Sequence, residues 1–149
     1  MSVSSITTSP LSEPTQPERL VIVLNESLPA GKAANAAAVL AMTLGQRHPE
    51  LIGSPLEIAD GKTYPGLTPL GISVLSGSDE DLKSVLVNGT SRGCDITVFP
   101  LEGQQTTHYE AFLEAVALQT EGSLQLLGIA LAGEKKSVRK VVGKLKLFA

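Results

Sequence analysis

The sequence is poor in several things at once: it has one cysteine, Cys94, no tryptophan, two tyrosines and three phenylalanines among 149 residues. A lone cysteine excludes an internal disulfide and a cysteine-rich metal centre, and it fits a reducing compartment, so the expected location is cytoplasmic. Few aromatics leave little material for the stacking platforms that hold single-stranded nucleic acid. A formal net charge of −3 supplies no global field that would draw the chain to nucleic acid or to an anionic membrane, although local basic patches stay open. The first apolar run, "LVIVL" at 20–24, is far shorter than the ~20 residues of a membrane helix, and nothing before it resembles a secretory leader. The expectation is a soluble protein with no membrane partner. Also missing are the phosphate loop "GxxxxGK[ST]", a dinucleotide "GxGxxG" after the first strand, a "GxSxG" elbow and a paired-histidine zinc motif. No cofactor and no metal are expected.

What is present suits one compact domain: 42% apolar and 18% charged residues. Residues 1–18 mix Ser, Thr and Pro without apolar periodicity, a composition that cannot offset its ordering entropy, and are expected to be a disordered tail. Residues 19–149 form the domain. "RLVIVLN" at 19–25 reads as a central strand buried on both faces. "GKAANAAAVLAMTLG" at 31–45 opens a helix that runs to about His48, where the following proline stops it. Residues 51–68 predict a short hairpin or irregular excursion around Asp60-Gly61, and residues 69–77 a second strand. A helix follows from Ser78, a plausible N-cap, and is expected to end at Asn88-Gly89. Strands at 94–100 and 123–133 flank a helix carrying Tyr109, Phe112, Leu113 and Val116, and a basic helix ends near Gly143 before a small alternating segment. Interleaved strands and helices predict a single three-layer α/β domain, with a mixed central sheet of about four strands and helices on both faces.

The first helix raises the functional question. Ala33, Ala37, Leu40, Ala41 and Leu44 form the stripe expected to face the sheet, whereas Lys32 and Asn35 stand three apart at the mouth. With Gly31 they border unpaired backbone N–H groups at the positive end of the helix dipole, a place for an anion or a carbonyl oxygen. Simple solvation of Lys32 and a loop contact from Asn35 are the competing reading. A second polar cluster, "EGQQTTHYE" at 102–110, follows the third strand, where α/β sheets place ligand crevices. Within it Thr107 is favoured as an N-cap completing a capping box with Glu110. His48 and His108 read as solvated or capping side chains, and Cys94 as a small apolar residue. Lys135, Lys136, Arg139 and Lys140, extended by Lys144 and Lys146, read as a solvated face that leaves an acidic or RNA partner open.

The segments "RLVIVLNESLPAGKAANAAAVLAMTLGQRHPELIG", "DGKTYPGLTPLGISVL", "QTTHYEAF" and "LLGIALAGEKKSVRKVVGKLKL" closely resemble a family of small, mainly bacterial proteins, domain-of-unknown-function family 2000, over about residues 19–148. The resemblance implies the fold of the type 2 peptidyl-tRNA hydrolases, in which a lysine opens the first helix and an acid and a threonine stand in a loop before the last main strand. Laid on that pattern, Gly31 takes the lysine column with Lys32 one residue later. Leu101 takes the acid column with Glu102 one later, and Gln105 or Thr106 falls near the threonine.

Two functions follow as expectations. In the first, a crevice between the helix mouth and the 104–107 loop binds a small anionic or amide-bearing ligand through Gly31, Asn35, Gln104, Gln105 and Thr107. In the second, which the resemblance implies, the protein is a hydrolase acting on an ester or amide bond, with Lys32 polarising a carbonyl or holding a phosphate and Glu102 or Thr106 positioning water. That reading brings tRNA as a partner. Exposed strand edges and the alanine-rich helix leave a homodimer open.

Overall fold

A computed structural model describes residues 16–149; the first fifteen residues of the expected tail lie outside the described residues. β1 (Arg19–Asn25) is the middle strand of a five-stranded sheet. It pairs in parallel with β4 (Ile72–Gly77), with Val23 opposite Leu75, and antiparallel with β6 (Leu126–Gly133), with Val23 opposite Ile129. Outside these lie β5 (Asp95–Pro100), antiparallel to β6, and β7 (Lys146–Leu147), antiparallel to β4. The sheet is therefore mixed, as expected, but has five strands rather than about four, because the alternating C-terminal segment adds an edge. Between β1 and β4, β2 (Leu56–Glu57) and β3 (Thr63–Tyr64) form a separate hairpin whose turn uses Gly61 at φ 87°. Glu18 continues the β1 edge by donating from its backbone to the Gly133 carbonyl at 2.9 Å.

The period-2 alternation of β1 divides the core in two. Leu20, Ile22 and Leu24 pack under α1 (Ala30–Arg47), which buries Ala33, Ala36, Leu40 and Leu44. Small residues permit this close approach: a Cβ on Gly128 of β6 would stand 2.9 Å from both Leu24 Cδ2 and Leu40 Cδ1. On the other face Val21 and Val23 meet α2 (Asp79–Ser91) and α5 (Lys135–Val142), through Leu82, Val85, Val138 and Val142. Helices thus cover both faces. Ser78 caps α2 as expected, in a capping box with Asp81. The helix does not stop at Asn88-Gly89, however. Gly89 is a packing glycine, since a Cβ there would lie 2.8 Å from Leu131 Cδ2. The stop falls at Gly93, φ 75°, where Gly93 N bonds Thr90 O and Cys94 N bonds Gly89 O in a Schellman pattern. Among the described residues no helix is long and apolar enough to cross a membrane.

Because β5 runs the same way as β1 and β4, all three strands end at one edge of the sheet. The start of α1, the start of α2 and the one-turn helix α3 (Glu102–Gln105) therefore gather there. From α3 the chain turns into α4 (Tyr109–Ala117).

Candidate functional site

The two polar clusters of the sequence meet. Gln104 Nε2 donates to the Lys32 carbonyl at 3.2 Å and to Asn35 Oδ1 at 3.3 Å, which fastens α3 to the first turns of α1. Beside this contact a crevice of about 400 Å³ opens between α1 and α4. One wall is Asn35, Val39 and Thr43, spaced four apart, a single stripe along about 12 Å of helix on a flank that the sheet leaves uncovered. Phe99 of β5 and Gly103 form the floor. Gly103 is obligatory for that floor, because a Cβ there would collide with the Phe99 ring. The other wall is the turn at Thr106, Thr107 and His108, followed by Tyr109 and Phe112, whose rings stand 5.6 Å apart.

Of the residues singled out from sequence, Asn35, Thr106 and Thr107 line this crevice, and Gln104 holds its end closed. Gly31, Lys32, Glu102 and Gln105 lie outside the lining. Thr107 makes no cap: the N-cap position of α4 is His108, without a side-chain hydrogen bond, and the Glu110 box does not form. Thr106 instead donates its hydroxyl to the Glu102 carbonyl at 2.9 Å, closing α3. Glu102 carries a buried carboxylate oxygen, Oε1, that has no hydrogen-bond partner among the described residues. Sequence reasoning missed Val39, Thr43, Phe99, Gly103, His108, Tyr109 and Phe112 as lining. The 35-39-43 spacing is a legible stripe in retrospect, but the aromatic wall depends on where α4 folds back.

A separate cluster ties the far end of α1 to β5. Arg47 grips Asp95 with two bonds, Nε to Oδ2 at 2.8 Å and Nη2 to Oδ1 at 2.6 Å, and His48 Nε2 lies 2.7 Å from Oδ2. His48 thus takes the C-cap position of α1, the second of its two expected roles, and its ring is held by a carboxylate rather than solvated. The Arg47 guanidinium, aided by His48, holds the Asp95 carboxyl below its ordinary range. Next to it, burial pushes the Cys94 thiol up, which disfavours the thiolate and agrees with a packing role.

The model of the family described as protein of unknown function (DUF2000) matches residues 18–149. The chain belongs to the DUF2000 family. Among solved structures, the DUF2000 chain is similar to Atu0240 from Agrobacterium tumefaciens strain C58, described as a protein of unknown function. The TM-score is 0.82 at 23% identity, over 88% of this chain and 97% of that one. At that identity the likeness shows the fold. No curated protein matches this DUF2000 chain.

Proposed function

We propose that the crevice between α1 and α4 binds a small, uncharged, amide-bearing molecule with an apolar part. The observation that carries this reading is the composition of the lining. Asn35, Thr106 and Thr107 offer both donors and acceptors around an apolar floor and wall of Phe99, Val39 and Phe112, with no lysine, arginine or carboxylate among them. Of the lining side chains only His108 can offset the hydration an anion loses there, whereas a carboxamide can pair with Asn35 in both directions. Of the two ligand classes expected from the sequence, the amide is the one for which Asn35 and the threonines offer both donors and acceptors. The test is a thermal-shift series with small aromatic carboxamides. Occupancy at about 100 times Kd adds about 2.7 kcal/mol, which raises the Tm of a chain this size by about 5–10 °C. A flat response across the series for the wild type ends the proposal.

One observation favours a second reading, hydrolysis of an ester or amide bond in the manner of the type 2 peptidyl-tRNA hydrolases that the family resembles. Glu102 holds an unengaged buried carboxylate oxygen one turn from Thr106, which lines the crevice. This reading requires Lys32 to reach a substrate such as peptidyl-tRNA from outside the lining. Release of peptide from a peptidyl-tRNA mimic by wild type and Lys32→Ala decides it, and equal rates at background reject it.

A further inference from the structure

On the opposite face of the sheet, a cleft of about 600 Å³ lies between α2 and α5, lined by Asn88, Ser91, Arg92, Ser137 and Lys140. Every one of these side chains can donate a hydrogen bond, and none is a carboxylate. Neither Arg92 nor Lys140 forms an ion pair among the described residues. Their placement follows from helix periodicity: Asn88, Ser91 and Arg92 stand three and four apart at the end of α2, and Ser137 and Lys140 three apart on α5. Both helices are anchored beneath the cleft, α2 through Val85 and Gly89 and α5 through Val138 and Val142. The donors are thus held on rigid elements rather than on loops.

We propose that this cleft binds the phosphoryl group of a small anionic ligand. The Arg92 guanidinium presents a planar fork that matches two phosphate oxygens, and Lys140 adds a point charge from the facing helix. Ser91, Ser137 and Asn88 complete the ring with neutral donors. Lys135, Lys136 and Arg139, exposed around α5, raise the local potential and steer anions toward the cleft although the chain as a whole is acidic. The lining holds no aromatic ring on which a base could stack, so a small phosphorylated compound suits it better than a single-stranded nucleic acid. The site lies across the sheet from the α1–α4 crevice and stands or falls independently of it.

Calorimetric titration of the full chain with pyrophosphate, at constant ionic strength, tests the proposal. Wild type should show one saturable site. R92Q/K140Q should weaken binding by at least about tenfold, whereas K135Q/K136Q, which removes the same charge from outside the cleft, should weaken it by no more than about threefold, the share owed to long-range attraction. All four side chains are exposed, and an unchanged Tm in each variant confirms that the fold persists. Absence of saturable binding in wild type overturns the proposal. So does an equal loss in the two variants, which would show diffuse charge attraction, or binding of an oligouridylate without binding of pyrophosphate.

Discussion

Gln104 and Asn35, 69 positions apart, are joined side chain to side chain at 3.3 Å, and the same amide of Gln104 reaches the Lys32 carbonyl. A one-turn helix has too few internal bonds to hold itself, so this contact is what fixes α3 against α1. It explains how two polar clusters that are remote in the chain come to edge one crevice. Gln104→Ala should leave global stability within about 0.5 kcal/mol, because the contact is exposed. It should nevertheless speed amide exchange at Thr106 and weaken carboxamide binding severalfold, which hydrogen exchange and titration would read. Unchanged exchange at Thr106 would contradict the clamp.

Gly103 sits on the Phe99 ring, and Phe99 is buried. Gly103→Ala must push the ring or α3 aside, and overpacking of this kind costs about 1–3 kcal/mol. Urea denaturation should show that loss, and carboxamide binding should fall with it.

Asp95 links pH to stability. Its folded-state pKa is depressed, chiefly by Arg47, so the unfolded chain takes up the proton more readily than the folded one. The stabilisation is therefore complete above the ordinary carboxylate range near about 4 and is lost as pH falls through the lower folded value. Asp95→Asn should reduce Tm at neutral pH by about 2–4 °C, an amount already discounted for the solvent exposure of the pair. The gap between variant and wild type should close in acid, as a Tm series across pH would show.

Ser78 accepts from Asp81 N at 3.1 Å while Ser78 N donates to Asp81 Oδ2 at 2.9 Å. Ser78→Ala removes one half of this box and should cost about 1 kcal/mol by urea denaturation. Thr107→Ala should cost far less, because Thr107 caps nothing.

The contrast between Ser78 and Thr107 shows what the sequence can specify. Both precede an acid at capping distance, but only Ser78 leads straight from a buried strand into a helix. At Thr107 the chain is still turning out of α3, so His108 takes the N-cap position. The buried stripe of α1 was legible because burial follows a 3.6-residue period, and Ala36 extends it by one position. Gly89 misled because a glycine that ends a helix and one that admits a neighbour are alike in sequence; the side chains of Leu131 and Ile96, brought against it by the sheet, distinguish them. Asn35, Thr106 and Thr107 were legible as lining for the same local reason, as the mouth of α1 and the segment after β5 announce themselves by polarity. The aromatic wall and the Arg47–Asp95–His48 cluster were not, since each is made by tertiary contacts that no local pattern encodes.

The amide site proposed for the α1–α4 crevice depends on Asn35, whose carboxamide stands in its wall. Its most direct test is a two-dimensional NMR titration of the full chain with benzamide, in wild type and in Asn35→Ala. Binding in the crevice should give saturable shifts confined to Asn35, Thr43, Thr106, His108 and Phe112, with the affinity reduced by about tenfold or more in the variant. Shifts scattered over the surface, or an affinity indifferent to Asn35, would contradict it.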